Sequence, residues 1–229
     1  MRPFFQPIWL LISICLVSTT FARDAKGATH FRVDTAKDVV TIGGNVEPVT
    51  YRGRHALHLV PATGLENIEK DAMAIFTRPD FKDGVIEVEV AGSPRAGAPP
   101  DSRGFIGVAF RVQEQGSKGE YFYLRPTNAR CDDQLRRNHS TQYVSAPDYP
   151  WERLRKENPG VYESYVDLDP GAWTKMKIIV SGTKAELYVN GAAQPVLIVN
   201  DLKLGETHGR IGLWAHNSTD AYFSNLTVK

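Results

Sequence analysis

From Gly171 to its end the chain is a succession of short runs in which apolar and polar residues alternate, each run closed by turn-forming residues. Alternation with period two gives a strand two distinct faces, which a helix of 3.6 residues per turn cannot do. Met176 to Val180 and Ala185 to Val189 are two such runs, separated by Ser181-Gly182-Thr183-Lys184. Asn190-Gly191 marks a second turn into a third run, and both residues reach positive φ cheaply, as two-residue hairpins require. Near the C-terminus Ile211, Leu213 and Ala215 alternate with Gly212, Trp214 and His216, so one face can pack while the other stays open. The pattern predicts an antiparallel sheet protein whose last strand returns to the edge of the fold.

The same rhythm runs upstream. Val39 to Ile42, Val46 to Tyr51 and Ala56 to Val60 read as strands broken by Gly43-Gly44 and Arg52-Gly53-Arg54. Ala72 to Thr77 follows, ended by Pro79. Val85 to Val90 sets Ile86, Val88 and Val90 against Val85, Glu87 and Glu89. Phe105 to Val112 sets Ile106, Val108, Phe110 and Val112 against Phe105, Gly107, Ala109 and Arg111. The small residues at 107 and 109 leave room for close approach to the backbone. In Glu120 to Arg125, Tyr121, Tyr123 and Arg125 share a side. Residues 126–169 break the rhythm with charge, aromatics and proline, and Trp151 to Lys156 reads as a short helix headed by Pro150. Segments this long without strand rhythm are functional or disordered in compact domains, and the composition here argues against disorder.

Several of these positions carry a resemblance. Gly171, Trp173, Asn190, Gly191, Gly209, Ile211, Gly212, Leu213, Phe223, Asn225 and Leu226 stand in an order similar to the concanavalin A-like lectin/glucanase jelly roll. More narrowly, the chain resembles laminin-G-like domains and secreted bacterial 3-keto-disaccharide hydrolase domains. FKDGVIEVEV (81–90) and RGFIGVAFRV (103–112) fit the central strand pair of that family, and the resemblance covers residues 30–229. It implies an all-β fold, an antiparallel β-sandwich in which 126–169 is a long loop insertion carrying a short helix. One such fold hosts lectins, lyases, hydrolases and adhesion modules, so function must be argued from the site. Because lectin and laminin-G-like relatives bind calcium at loop carboxylates, the resemblance leaves calcium open at Asp83, Asp101, Asp132 or Asp133. None of these forms a dedicated calcium loop, and no other cofactor is expected.

Residues 1–22 read as an export signal: Arg2, an apolar stretch from Ile8 to Val17, and small residues at Thr20-Phe21-Ala22. That stretch is too short to span a bilayer. Residues 23–35 are expected to be a flexible lead-in and 36–229 a single domain. Beyond the signal only Cys131 remains, so the mature chain closes no internal disulfide, which suits a bacterial periplasmic or secreted protein. With 27 Lys+Arg against 26 Asp+Glu and no polybasic run, the charge argues against nucleic-acid and membrane-surface partners.

Strand parity gathers Arg111, Tyr121, Tyr123, Arg125, Trp214 and His216 on one sheet face, joined by Glu87 and Glu89 if that strand shares the orientation. The resemblance implies that the concave face carries the ligand groove. Tyrosine and tryptophan stack on apolar sugar faces, while arginine and glutamate bond hydroxyls and carboxylates. The competing reading is a merely solvated sheet face. The insert adds a second set, Arg130 to Tyr143, in which Arg136 and Arg137 present forked donors suited to an acidic glycan, with Trp151 in the groove's roof. Asp132-Asp133 pairing with Arg136 and Arg137 is the structural alternative. Glu87, Glu89 and His139 are the candidate acid–base groups, although the Glu-x-Asp-x-x-Glu strand of family 16 glucanases is missing. The two same-face carboxylates Glu87 and Glu89 have Cβ atoms only about 7 Å apart, and the third acid is missing. Three functions remain open: carbohydrate binding, glycoside cleavage of the 3-keto-disaccharide hydrolase type, and protein interaction.

Overall fold

A computed structural model of the chain describes residues 29–31, 38–62 and 71–229. The expected export signal lies outside the described residues. Two antiparallel sheets face each other. The back sheet runs in the order β13 (Leu197–Val199), β12 (Lys184–Val189), β11 (Thr174–Ser181), β6 (Gly84–Pro94), β15 (Thr219–Val228), β4 (Arg54–Pro61) and β3 (Gly44–Tyr51). The front sheet runs β10 (Glu163–Ser164), β9 (Thr141–Ala146), β8 (Lys118–Leu124), β7 (Ile106–Gln113), β14 (Arg210–His216), β5 (Asp71–Phe76) and β2 (Val39–Ile42). This is the concanavalin A-like jelly roll that the resemblance implies.

Alternation explains the packing. Ile86, Val88 and Val90 of β6, Ile178 and Val180 of β11, Ile106, Val108 and Phe110 of β7, and Ile211 and Leu213 of β14 meet between the sheets, all at most 2 % exposed. Fully burying such side chains is worth about 1.5–3 kcal/mol each, so the pattern selects one register per strand. Asn190 and Gly191 take positive φ (51° and 74°), as a turn after β12 requires, but the chain runs on to Leu197 before β13 pairs back.

Four expectations are revised. The last strand, β15, does not return to an edge; it sits between β6 and β4 in the interior of the back sheet. Within the expected lead-in, Thr29–His30 form a short strand, β1, paired with Thr227 and Val228 of β15, and the Phe31 ring meets Phe76 at 4.6 Å. The 126–169 insert does carry the expected short helix, α2 (Trp151–Glu157), after a single turn, α1 (Gln134–Arg137). It also supplies β9 and β10, which widen the front sheet beyond β8.

The fourth revision concerns Arg111. The β7 ladder shifts register between Phe110 and Gln113, and Arg111 adopts a φ of +51°. This bulge reverses parity: Ala109 and Val112 lie on the outer face, while Arg111 leaves it altogether. Its fully buried guanidinium donates to the carbonyls of Lys82 (2.9 Å), Gly182 (2.7 Å) and Gly205 (2.8 Å) and to Asp83 Oδ1 (3.2 Å). Arg111 is a tie between three loops, because a buried cation persists only when its donors are satisfied.

Candidate functional site

The outer face of the front sheet opens into a cleft of about 550 Å³. Its floor comes from alternate residues: Tyr121 and Tyr123 on β8, Trp214 and His216 on β14, and Asp71 at the start of β5. One wall is the insert, with Val144 and Ala146 of β9 and then Trp151 and Glu152 of α2; the facing rim is the loop bearing Asp101 and Ser102. The floor lies low because neighbouring strands carry glycine. A Cβ on Gly107 would stand 2.6 Å from Tyr123 Cβ, and one on Gly212 would stand 2.8 Å from Met73 Sδ.

Aromatic rings pave this floor. Tyr123 and Trp214 lie 4.9 Å apart, Tyr121 meets Trp214 edge-on at 6.2 Å, and Phe105 contacts both Tyr123 (6.2 Å) and His216 (5.4 Å). Such pairs contribute about 0.5–1.5 kcal/mol each beyond their area and fix the ring faces in place. Burial pushes the Tyr121 and Tyr123 hydroxyls above their usual pKa, so both stay protonated donors.

Two titratable groups face each other on the floor. Asp71 and His216 are direct partners across the β5–β14 ladder. Asp71 opens to the cleft but has protein on most sides; this raises its carboxyl, while a hydrogen bond from the Trp214 indole and the nearby His216 pull it back. His216 Nδ1 accepts the Ser218 backbone N–H at 3.2 Å and lies 2.7 Å from Ser218 Oγ. Because Nδ1 accepts, the neutral ring carries its proton on Nε2. The cleft thus pairs a carboxyl of raised basicity with an imidazole donor.

Of the residues the sequence singles out, Tyr121, Tyr123, Trp151, Trp214 and His216 come together here. Arg125 sits behind them, buried, donating to His139 O (3.0 Å), Tyr123 Oη (3.0 Å) and Gln142 Oε1 (3.2 Å). Its guanidinium lies 5.9 Å from the Trp151 ring, whose other neighbour is Arg155 at 4.6 Å. Arg155 and His139 Nε2 (3.1 Å) both engage buried Glu163. Arg125 and His139 therefore brace the wall and do not line the cleft. Arg136 and Arg137 lie beyond it, reaching Asn128 Oδ1 (3.4 Å) and Tyr165 Oη (3.5 Å). Asp133 caps α1 through the Arg136 backbone N–H, so the expected ion pairs with the Arg136 and Arg137 side chains do not form.

Glu87 and Glu89 are not part of this face. They lie on the back sheet, across the sandwich from the cleft, since β6 pairs with β11 and β15. Partial burial would raise the Glu87 carboxyl, but Lys229 (3.1 Å) and Lys175 (3.2 Å) hold it below the usual range. Glu89 is engaged by Arg54 and Asn225. The site residue that sequence reasoning missed is Asp71. Its signal was parity, because Asp71, Met73 and Ile75 alternate with the core residues Ala72, Ala74 and Phe76. Asp83 is taken by Arg111 and the Gly182 N–H, Asp133 by its cap, and among the described residues no three His, Cys, Asp or Glu side chains converge to hold a metal ion.

A family model of the 3-keto-alpha-glucoside-1,2-lyase-like domain matches residues 50–229. The chain belongs to this 3-keto-glucoside lyase-like family. The matched span includes every floor and wall residue of the cleft. No curated protein matches the chain. Among solved structures, the lyase-like chain is similar to the carbohydrate-binding module CBM66 from Bacillus subtilis, at 14 % identity and a TM-score of 0.56, over 84 % of this chain and 96 % of that one. A Bacillus subtilis protein of unknown function with a galectin-like fold matches at 16 % identity and 0.56, over 86 % and 92 %. The mannose-bound lumenal domain of VIP36 matches at 11 % and 0.55, over 84 % and 82 %. At these identities the likeness is one of fold, the jelly roll described above. No helix among the described residues is long and apolar enough to cross a membrane.

Proposed function

We propose that this protein is exported, binds a glycoside in the concave cleft of its front sheet, and cleaves it as a 3-keto glucoside by elimination across C1 and C2. The observation that carries this reading is the Asp71–His216 pair facing across one ladder on an aromatic floor. The family description supports the reaction class. A C3 carbonyl acidifies the proton on C2. Asp71, made more basic by its surroundings, removes that proton; the electron pair forms the C1–C2 double bond, and the C1–O bond to the leaving group breaks. Asp71, now protonated, returns that proton to the departing oxygen, whose developing charge the Nε2–H of His216 steadies by a hydrogen bond. Trp214 and Tyr123 hold the ring face, and the Tyr123 hydroxyl, which accepts from Arg125 and stays protonated, keeps a proton to give to a sugar oxygen.

The aromatic floor alone would equally serve a binding module, and one assay separates the two. With a 3-keto-disaccharide, Asp71→Asn is expected to lose turnover by about a hundredfold or more while retaining affinity. Turnover at the wild-type rate would remove Asp71 from the chemistry. Tight binding by the wild type with no product formed would leave a sugar-binding protein.

A further inference from the structure

A charge arrangement at the insert end of the cleft is left over by the elimination chemistry. Arg103 ends the rim loop that gives Asp101 and Ser102 to the cleft, and its carbonyl accepts the Thr127 N–H at 3.2 Å. Arg136 reaches the next residue of the same turn, donating from Nη2 to Asn128 Oδ1 at 3.4 Å. The two arginines thus flank the turn Pro126–Asn128, and Arg125 stands directly behind it, its carbonyl accepting the Asn128 N–H at 2.9 Å.

Several other arginines end on carboxylates, among them Arg54 on Glu89, Arg111 on Asp83, Arg130 on Asp167, Arg153 on Glu157 and Arg155 on Glu163, while Arg137 reaches the Tyr165 hydroxyl instead. Among the described residues, neither Arg103 nor Arg136 has an ion-pair partner within 4.0 Å, and Arg136 Nε is a buried donor with no partner at all. Burial and then the charge of Arg136 press Arg103 below its usual pKa, with Asp101 offsetting part of this. Like charges gathered in partial burial without a direct ion pair are costly, and a pair of guanidinium forks fits the oxygens of carboxylate or sulfate.

We propose that Arg103 and Arg136 form an anion subsite beside the cleft, which receives the carboxylate or sulfate of an acidic sugar whose neighbouring ring lies on the aromatic floor. The sugar half rests on the cleft reading above; the anion half rests on the arginines alone.

The test keeps the halves apart. Melting temperature is measured in sodium sulfate and in sodium chloride at matched ionic strength for wild type, R103Q/R136Q and W214A. Sulfate stabilises folded proteins generally, so the reading is the difference between proteins. The expected result is an extra sulfate shift in wild type and W214A that disappears in R103Q/R136Q, whose melting temperature in chloride stays level or rises as the repulsion is removed. Calorimetric titration then compares a neutral disaccharide with its uronate and sulfated counterparts at low salt. The anion that fits is expected to bind wild type about tenfold tighter than the neutral sugar, a preference that salt weakens and R103Q/R136Q abolishes. Comparing the two charged sugars decides between carboxylate and sulfate. An equal sulfate shift in R103Q/R136Q overturns the anion site. Equal affinity of wild type for neutral and charged sugars overturns its role as a sugar subsite. Wild type that binds none of the three sugars sinks the cleft reading, while a sulfate shift lost in R103Q/R136Q still upholds the anion site.

Discussion

The proposed chemistry turns on one carboxyl whose surroundings oppose each other. Protein enclosure raises Asp71, and the Trp214 indole N–H counters by favouring the charged form. Trp214→Phe keeps a ring on the floor but deletes that donor, so the Asp71 pKa is expected to rise further. Carbon-detected NMR titration of the Asp71 carboxyl reads this directly, and in turnover the acid limb of the pH profile should move to higher pH with it. An unchanged Asp71 titration would show that the indole has no hold on the carboxyl. Asp71 was within reach of sequence reasoning, because extending the Ala72 to Thr77 run by one residue puts it on the face of Met73 and Ile75. Nothing in the sequence pairs it with His216, since that contact depends on which strand lies beside β5.

Among the elements, β7 shows where parity stops being a guide. Periodicity located nearly every strand, and it placed Tyr121, Tyr123, Trp214 and His216 together, because an unbroken ladder holds its alternation. One bulge residue at positive φ was enough to send Arg111 from the proposed groove to the interior. Nothing in IGVAFRV marks the bulge beyond a lone cation among apolar residues. The prediction follows from its bonds. Arg111→Met leaves the Lys82, Gly182 and Gly205 carbonyls without their donor and should cost about 3–5 kcal/mol in chemical denaturation, with the sugar affinity of the folded fraction unchanged. A stability loss under 1 kcal/mol, or a matching loss of sugar affinity, would restore the groove role. Glu87 and Glu89 went astray for a different reason: their strand alternates as read, but sheet membership is a matter of pairing, which alternation does not encode.

At the scale of the molecule, the sandwich encloses a carboxyl of its own. Glu120 points inward from β8, fully buried, accepting from the Tyr143 hydroxyl and from the Leu204 N–H at 2.8 Å, and so stitches the chain after β13 to the front sheet. Burial raises its pKa, and those hydrogen bonds only partly offset this. The folded chain therefore holds this proton more tightly than the unfolded chain does. Wild-type stability should fall as pH climbs from the ordinary glutamate value of about 4.3 to the raised folded value, then level off. In Glu120→Gln that decline should be missing, which urea denaturation across a pH series checks as the difference between the two proteins; parallel curves would mean that Glu120 titrates normally. The chain's layout carries a last consequence. The paving of the cleft is scattered over strands far apart in sequence, whereas the wall from Val144 to Glu152 is written in one uninterrupted stretch. A lineage can therefore alter what such a protein accepts by rewriting a single run of codons, leaving the inherited framework untouched.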